Sequence, residues 1–188
     1  MREKIKRLIE ESRDAKRSLL SEECLRSIEK SATRLVEALK SGHKVLVFGN
    51  GGSAADSQHM VGELVGRFKK ERRALPAVAL TTNTSTLTAL ANDYEYSICF
   101  KRQVEALGQK GDVAVGLSTS GRSVNVIEAL KEAHRIGMGT IAFAGNGGAG
   151  IRDIADVTIA VASGDTPRVQ EAHILVIHII CELIEEAF

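Results

Sequence analysis

From residue 44 onward the chain repeats one pattern: a short aliphatic run stops at Gly, Ser, Thr or Asn, and a stretch with apolar residues three and four apart follows. The runs fall at 45–48, 77–80, 113–117, 140–144 and 157–161. Each is apolar nearly throughout, which suits a strand covered on both faces rather than one with a wet side. The intervening stretches predict helices near 53–67, 85–92 and 123–136. A long last helix is predicted over 167–186, with Pro167 in its first turn, where its missing N–H has no partner to lose. Strands and helices alternating in this way define an α/β fold class with five parallel strands in one doubly wound sheet.

Ahead of the first strand, Ile5, Leu8 and Ile9, then Leu25, Ile28, Ala32, Leu35, Val36 and Leu39, mark two helices. Ser21 is placed to cap the second, accepting a backbone N–H, with acidic residues beside it in the first turn. The 188 residues, 44% of them hydrophobic, suffice for one sizeable core. Residues 1–188 are therefore read as one domain: a helical pair at 1–41, used in packing and oligomerisation, and an α/β core at 42–188. The 25 Lys and Arg nearly cancel the 24 Asp and Glu, which argues against a nucleic-acid partner. Cys24, Cys99 and Cys181 are odd in number and far apart, which argues against a disulfide framework and fits a reducing compartment. Residues 1–20 intersperse their charges, unlike a signal peptide. The apolar stretch 172–188 carries histidines and acids, unlike a membrane span. A soluble cytoplasmic protein is expected, with no membrane partner.

In a doubly wound sheet the ligand crevice lies beyond the carboxyl ends of the strands, where strand order reverses. Segments 49–53 (GNGGS), 81–85 (TTNTS), 118–123 (STSGRS) and 145–150 (GNGGAG) should gather there. The first satisfies the dinucleotide pattern G-x-G-x-x-A, yet no ribose-binding acid closes the second run, and no G-K-[ST] exists for a P-loop. What remains is a tight turn in which Gly51 and Gly52 let backbone approach a ligand, while Asn50 and Ser53 offer polar groups at a helix start. Segment 118–123 sets Ser118, Thr119, Ser120 and Ser123 around a glycine ahead of a helix, whose free N–H groups and dipole attract an anion. Phosphate is the natural guest, although a helix cap at Ser123 with three turn formers would look the same.

His59 and Glu63 are four apart on the helix after the first turn, so they share a face and can meet on one proton or one metal ion. A solvated surface pair has the same spacing. Gln170, His173 and His178 sit among apolar residues of the last helix, where a buried imidazole is ordinarily a core group. Asn92 and Asp93 follow a short helical pattern and are ordinary helix-ending residues. Arg67, Lys69, Lys70, Arg72 and Arg73 are most simply a solvated helix end and loop, from which Arg67 could reach a phosphate.

Taken together, GNGGSAADSQHMVGELVGRF, ALAND, LSTSGRS and TPRVQEAHILVIHI, in this order and spacing, resemble the sugar isomerase (SIS) domain. Within it the chain resembles the phosphoheptose isomerase family over nearly its whole length. The serine-rich segment identifies only the superfamily; His59, Glu63, Gln170 and His178 in combination are far more specific. The resemblance implies a flavodoxin-like three-layer sandwich and a homotetramer with active sites at subunit contacts. It implies that Ser118, Thr119, Ser120 and Ser123 hold the phosphate, and that Asn50, Gly51, Gly52, Ser53, Glu63, Arg67, Asn92, Asp93 and Gln170 bind or frame the substrate. Glu63 resembles the family's catalytic base and His178 its partner acid. His59, Glu63, Gln170 and His178 match positions that bind zinc in some members, one ion per subunit. Pro167 stands where some relatives place an acid, so a role for that position does not carry over.

The activity so implied is aldose–ketose isomerisation of sedoheptulose 7-phosphate to D-glycero-D-manno-heptose 7-phosphate, feeding ADP-heptose, lipopolysaccharide-core or related heptose synthesis. Moving a proton between carbons 1 and 2 through an enediol needs a base over the carbon and a donor near the oxygens. The charge on the enediolate needs an imidazole, an amide or a metal. Gln170 and His178 are two turns apart, which makes joint coordination of one ion demanding. The rival reading is a non-enzymatic SIS adaptor regulating replication initiation, a branch that departs at the positions of Glu63 and His178, both retained here. A sugar-phosphate sensor or lyase of the same superfamily would be expected to have a longer chain or an added DNA-binding domain.

Overall fold

A computed structural model describes residues 1–148 and 150–188. All five expected strands form: β1 (Val45–Gly49), β2 (Ala77–Ala79), β3 (Val113–Ser118), β4 (Gly139–Ala144) and β5 (Val157–Ala160). They are parallel, in the order β2-β1-β3-β4-β5. This is the flavodoxin-like order, and its reversal falls between β1 and β3. The helices are α1 (Arg2–Arg17), α2 (Glu22–Lys40), α3 (Gly52–Val65), α4 (Thr84–Asp93), α5 (Cys99–Leu107), α6 (Val124–Ile136) and α7 (Thr166–Glu186). Ser21 caps α2 as expected, its hydroxyl accepting from the Cys24 N–H.

Side chains alternate across a strand, so each run of buried residues feeds two cores. Val45, Val47, Val113, Val115, Ile141, Phe143 and Ile159 face α2, α3 and α7. Leu46, Phe48, Ala114, Ala142 and Ala144 face α5 and α6, with Leu87 and Leu90 of α4 alongside. The result is the expected three-layer sandwich. The helix α5 is absent from the sequence reading, and α3 ends at Val65 rather than at residue 67. Among the described residues no helix is long and apolar enough to cross a membrane.

Two helices on the first face position the chemistry. Both α3 and α7 follow parallel strands, so they return in the same direction and pack side by side. Their starts meet where a Cβ on Gly52 would collide with the Gln170 amide. Two turns further on, His59 meets His178.

Candidate active site

The crevice forms at the reversal, where the register aligns Gly49 with Leu117. Gly51 takes φ +56 in the turn from β1 into α3, a left-handed value that a side chain would strain. Across the reversal, Asn50 and Asn125 exchange two amide hydrogen bonds, Nδ2 to Oδ1 in each direction, at 2.9 and 2.8 Å. The Tyr96 hydroxyl donates to Asn50 Oδ1 at 3.1 Å. Burial pushes the Tyr96 hydroxyl up, and Cys99 adds to this, so the group remains a donor.

In the serine segment, Gly121 N–H donates to the Ser118 carbonyl at 2.9 Å, closing a turn. Ser123 does not cap α6 with its side chain. Its hydroxyl lies 2.9 Å from that of the buried Ser118, and its N–H also points to Ser118 Oγ. The simple cap reading is thus replaced by a pair of hydroxyls held together at the start of a helix, a setting that suits an anion.

The second cluster lies between α3 and α7. His59 Nε2 is 2.9 Å from His178 Nε2 and 3.1 Å from Glu63 Oε1. One donor atom from each of the three residues falls within 4.8 Å of the others. Phe68 stacks on the His178 ring at 5.6 Å, with 24° between the planes. Two imidazoles and a carboxylate are a zinc-type donor set. Tetrahedral bonds of about 2.0–2.1 Å place ligand atoms about 3.3 Å apart, so the imidazole pair fits an ion after opening by a few tenths of an ångström.

The remaining expected residues are placed less uniformly. The side chain of Gln170 rests against Gly52, at the crevice end of the groove rather than beside His59. Ser53 is buried in the first turn of α3. Asn92 and Asp93 close α4, exposed, with the Asn92 amide donating to Asp93 at 2.8 Å. Arg67 lies past the far end of α3 and pairs with Glu71 at 3.8 Å. Fourteen helical residues put it about 20 Å along the axis from the crevice turn. The basic stretch around it is mostly exposed, but Arg72 is not: its side chain is only 3% exposed.

The sequence reading missed Asn125, Tyr96, Phe68 and Asp56. Asp56 is partly buried on the α3 face that carries Gly52, His59 and Glu63, and its Oδ2 has no partner among the described residues. Burial raises its carboxyl pKa, with His59 opposing. The i, i+4, i+7, i+11 spacing of residues 52, 56, 59 and 63 was the available signal.

A flavodoxin-like sheet with a hydroxyl-lined turn at its reversal suits a phosphosugar-binding class of protein, and residues 9–145 match the family model described as the SIS domain. The chain is 55% identical over 186 residues to a phosphoheptose isomerase of Aquifex aeolicus, covering 99% of this chain and 97% of that one. The structure of a phosphoheptose isomerase from Francisella tularensis superposes with a TM-score of 0.93 at 36% identity, covering 98% of this chain and 97% of that chain. One from Neisseria gonorrhoeae gives 0.89 at 42% identity, with 98% of each chain covered. The chain belongs to the SIS domain family and, within it, to the phosphoheptose isomerases; it is an isomerase. The adaptor reading is not favoured.

Proposed function

We propose that the chain converts sedoheptulose 7-phosphate to D-glycero-D-manno-heptose 7-phosphate through an enediol. The observation that carries this reading is the meeting of Glu63 and His178, from distant parts of the chain, on the ring of His59. Glu63 takes a proton from carbon 1 and His178 gives one to the oxygen on carbon 2, forming the enediol. Return of a proton to carbon 2, with loss of the proton on the carbon 1 oxygen, completes the aldose. Ser118, Thr119, Ser120 and Ser123 anchor the phosphate, and Asn50 and Gln170 line the path between.

His59, Glu63 and His178 would hold one zinc ion per subunit, and Gln170 would have to turn from its place against Gly52 to join them. When bound, it would supply positive charge to the enediolate oxygen. The reading places the enzyme in the cytoplasm as a homotetramer, with neighbouring subunits completing each site and the product entering heptose synthesis. A direct isomerisation assay tests it, run with and without chelator and with Glu63→Gln. Loss of a general base should lower kcat by about 10²–10⁴-fold with the fold retained. Full turnover by Glu63→Gln removes that residue from the mechanism, and full turnover in chelator removes the metal.

A further inference from the structure

The loop after α3 is tied to the C-terminal end of α7 by one buried carboxylate. Glu185 is only 3% exposed, yet it accepts three consecutive backbone N–H groups: Phe68 at 2.9 Å, Lys69 at 2.7 Å and Lys70 at 2.8 Å. Arg72 Nε approaches the same carboxylate at 3.5 Å, a charge contact rather than a hydrogen bond. The rest of the Arg72 guanidinium donates to the carbonyls of Glu63 at 2.6 Å, Leu64 at 2.9 Å and Gly66 at 3.0 Å. Glu63 and Leu64 belong to the last turn of α3, whose carbonyls have no partner within the helix, and Gly66 follows as its C-cap. Burial pushes the Glu185 carboxyl up, but the three N–H donors and Arg72 outweigh this and hold it below the usual carboxylate range.

Both ends of this arrangement reach the cluster. The first residue whose N–H Glu185 binds is Phe68, whose ring stacks on His178. The first carbonyl that Arg72 binds is that of Glu63. We infer that Glu185 is a positioning residue for the acid/base pair: its carboxylate holds both the loop that lays Phe68 over His178 and the arginine that anchors the backbone of Glu63. The inference rests on the proposed roles of Glu63 and His178. It extends them by naming what sets the distance between two side chains carried on separate helices. A plain loop staple would need no aromatic ring at residue 68 and no guanidinium on the Glu63 carbonyl. A misplacement of about 1 Å in such a pair is enough to cost about a hundredfold in rate.

The test compares the full chain with Glu185→Gln, Phe68→Leu and Phe68→Tyr in kcat, KM, thermal midpoint and the imidazole NMR signals of histidine-labelled protein. The His178 signals are assigned by their loss in His178→Gln. Glu185→Gln should lower kcat ten- to a hundredfold in folded protein, leave KM within twofold and move the His178 ring signals. Phe68→Leu should do the same, and Phe68→Tyr, which keeps the stack, should recover at least fivefold in kcat over Phe68→Leu. A space-filling role would be met equally by Leu, so equal kcat for Phe68→Leu and Phe68→Tyr overturns the inference. Folded Glu185→Gln with wild-type kcat and unmoved His178 signals also overturns it. If Glu185→Gln does not fold, the Phe68 pair decides alone. If Glu63→Gln proves active, the acid/base reading fails separately, and the ring signals still judge whether Glu185 and Phe68 place His178.

Discussion

His173 and His178 lie five residues apart on α7 and meet opposite surroundings. His178 is partly exposed beside His59 and Glu63, whereas His173 is fully buried, edge-on to Phe143 at 5.5 Å, with neither ring nitrogen hydrogen-bonded among the described residues. Burial pushes the His173 pKa down to about 4, weakly opposed by the Ala144 backbone. The unfolded chain protonates this ring near pH 6.5, so between about pH 6.5 and 4 it binds more protons than the native state. Stability is therefore complete above that window and falls as pH drops through it, by about 3 kcal/mol at most. Urea midpoints at pH 8 and pH 5 should converge for His173→Leu relative to wild type. An equal pH response in both would show that His173 is not the group responsible. The sequence reading assigned buried imidazoles on this helix to the core by default, which describes His173. Only the resemblance singled out His178; spacing alone could not separate the two, because five residues turn a helix by about 140° and the packing of α3 decides which side becomes a site. Asn125 escaped for a related reason. Its amide pairs with Asn50 only because β1 and β3 are neighbours, a fact of strand order and not of local pattern.

The turn from β1 into α3 separates stability from function within four residues. A Cβ on Gly49 would lie 2.8 Å from Ser53 Cβ, 2.9 Å from the Ser53 carbonyl and 3.0 Å from the Leu117 carbonyl, all held by the sheet and helix. Gly49→Ala should therefore destabilise by roughly 1–3 kcal/mol, read as a lowered thermal midpoint. The three atoms nearest a Cβ on Gly52 would all belong to the Gln170 amide, the free end of a flexible side chain. Gly52→Ala should keep its thermal midpoint within a few degrees and lose about tenfold in kcat/KM, because the amide is pushed out of the crevice. Wild-type kcat/KM in that variant would remove Gln170 from the substrate path. At this scale the five strands and the flanking helices were legible, since each strand is a continuous apolar run ended by turn residues. The helix α5 was not: its apolar positions, Phe100, Val104 and Leu107, are interleaved with Lys101, Arg102, Gln103 and Glu105 in nine residues, too short a run to establish a period. The buried Arg72 was hidden likewise among four other basic residues, because its partner Glu185 lies far along the chain on α7.

Across the whole molecule, apolar surface and incomplete chemistry occur together. The helix α1 buries only Ala15 and leaves Ile5 and Ile9 exposed at 50% and 63%. Beside it, α7 presents Leu175, Ile179 and Leu183 at i, i+4, i+8, each more than a third exposed. Such stripes favour burial against another surface. Within one chain, Arg67 stands about 20 Å along α3 from the crevice turn, and among the described residues the side chains of Asn92 and Asp93 hydrogen-bond only to each other. Copies packed through α1 and α7 would cover the stripes, and in the proposed tetramer such residues would serve a neighbour's cluster. The double variant Ile5→Lys, Ile9→Lys changes a helix that contributes little to the core, so its circular dichroism should match wild type while light scattering shows smaller particles. Its kcat should fall at least tenfold at concentrations where subunits separate and recover as protein concentration rises. A fully dissociated variant with wild-type kcat would mean that Glu63, His178 and the serine turn of one chain suffice, and that the exposed residues at the helix ends belong to no active site.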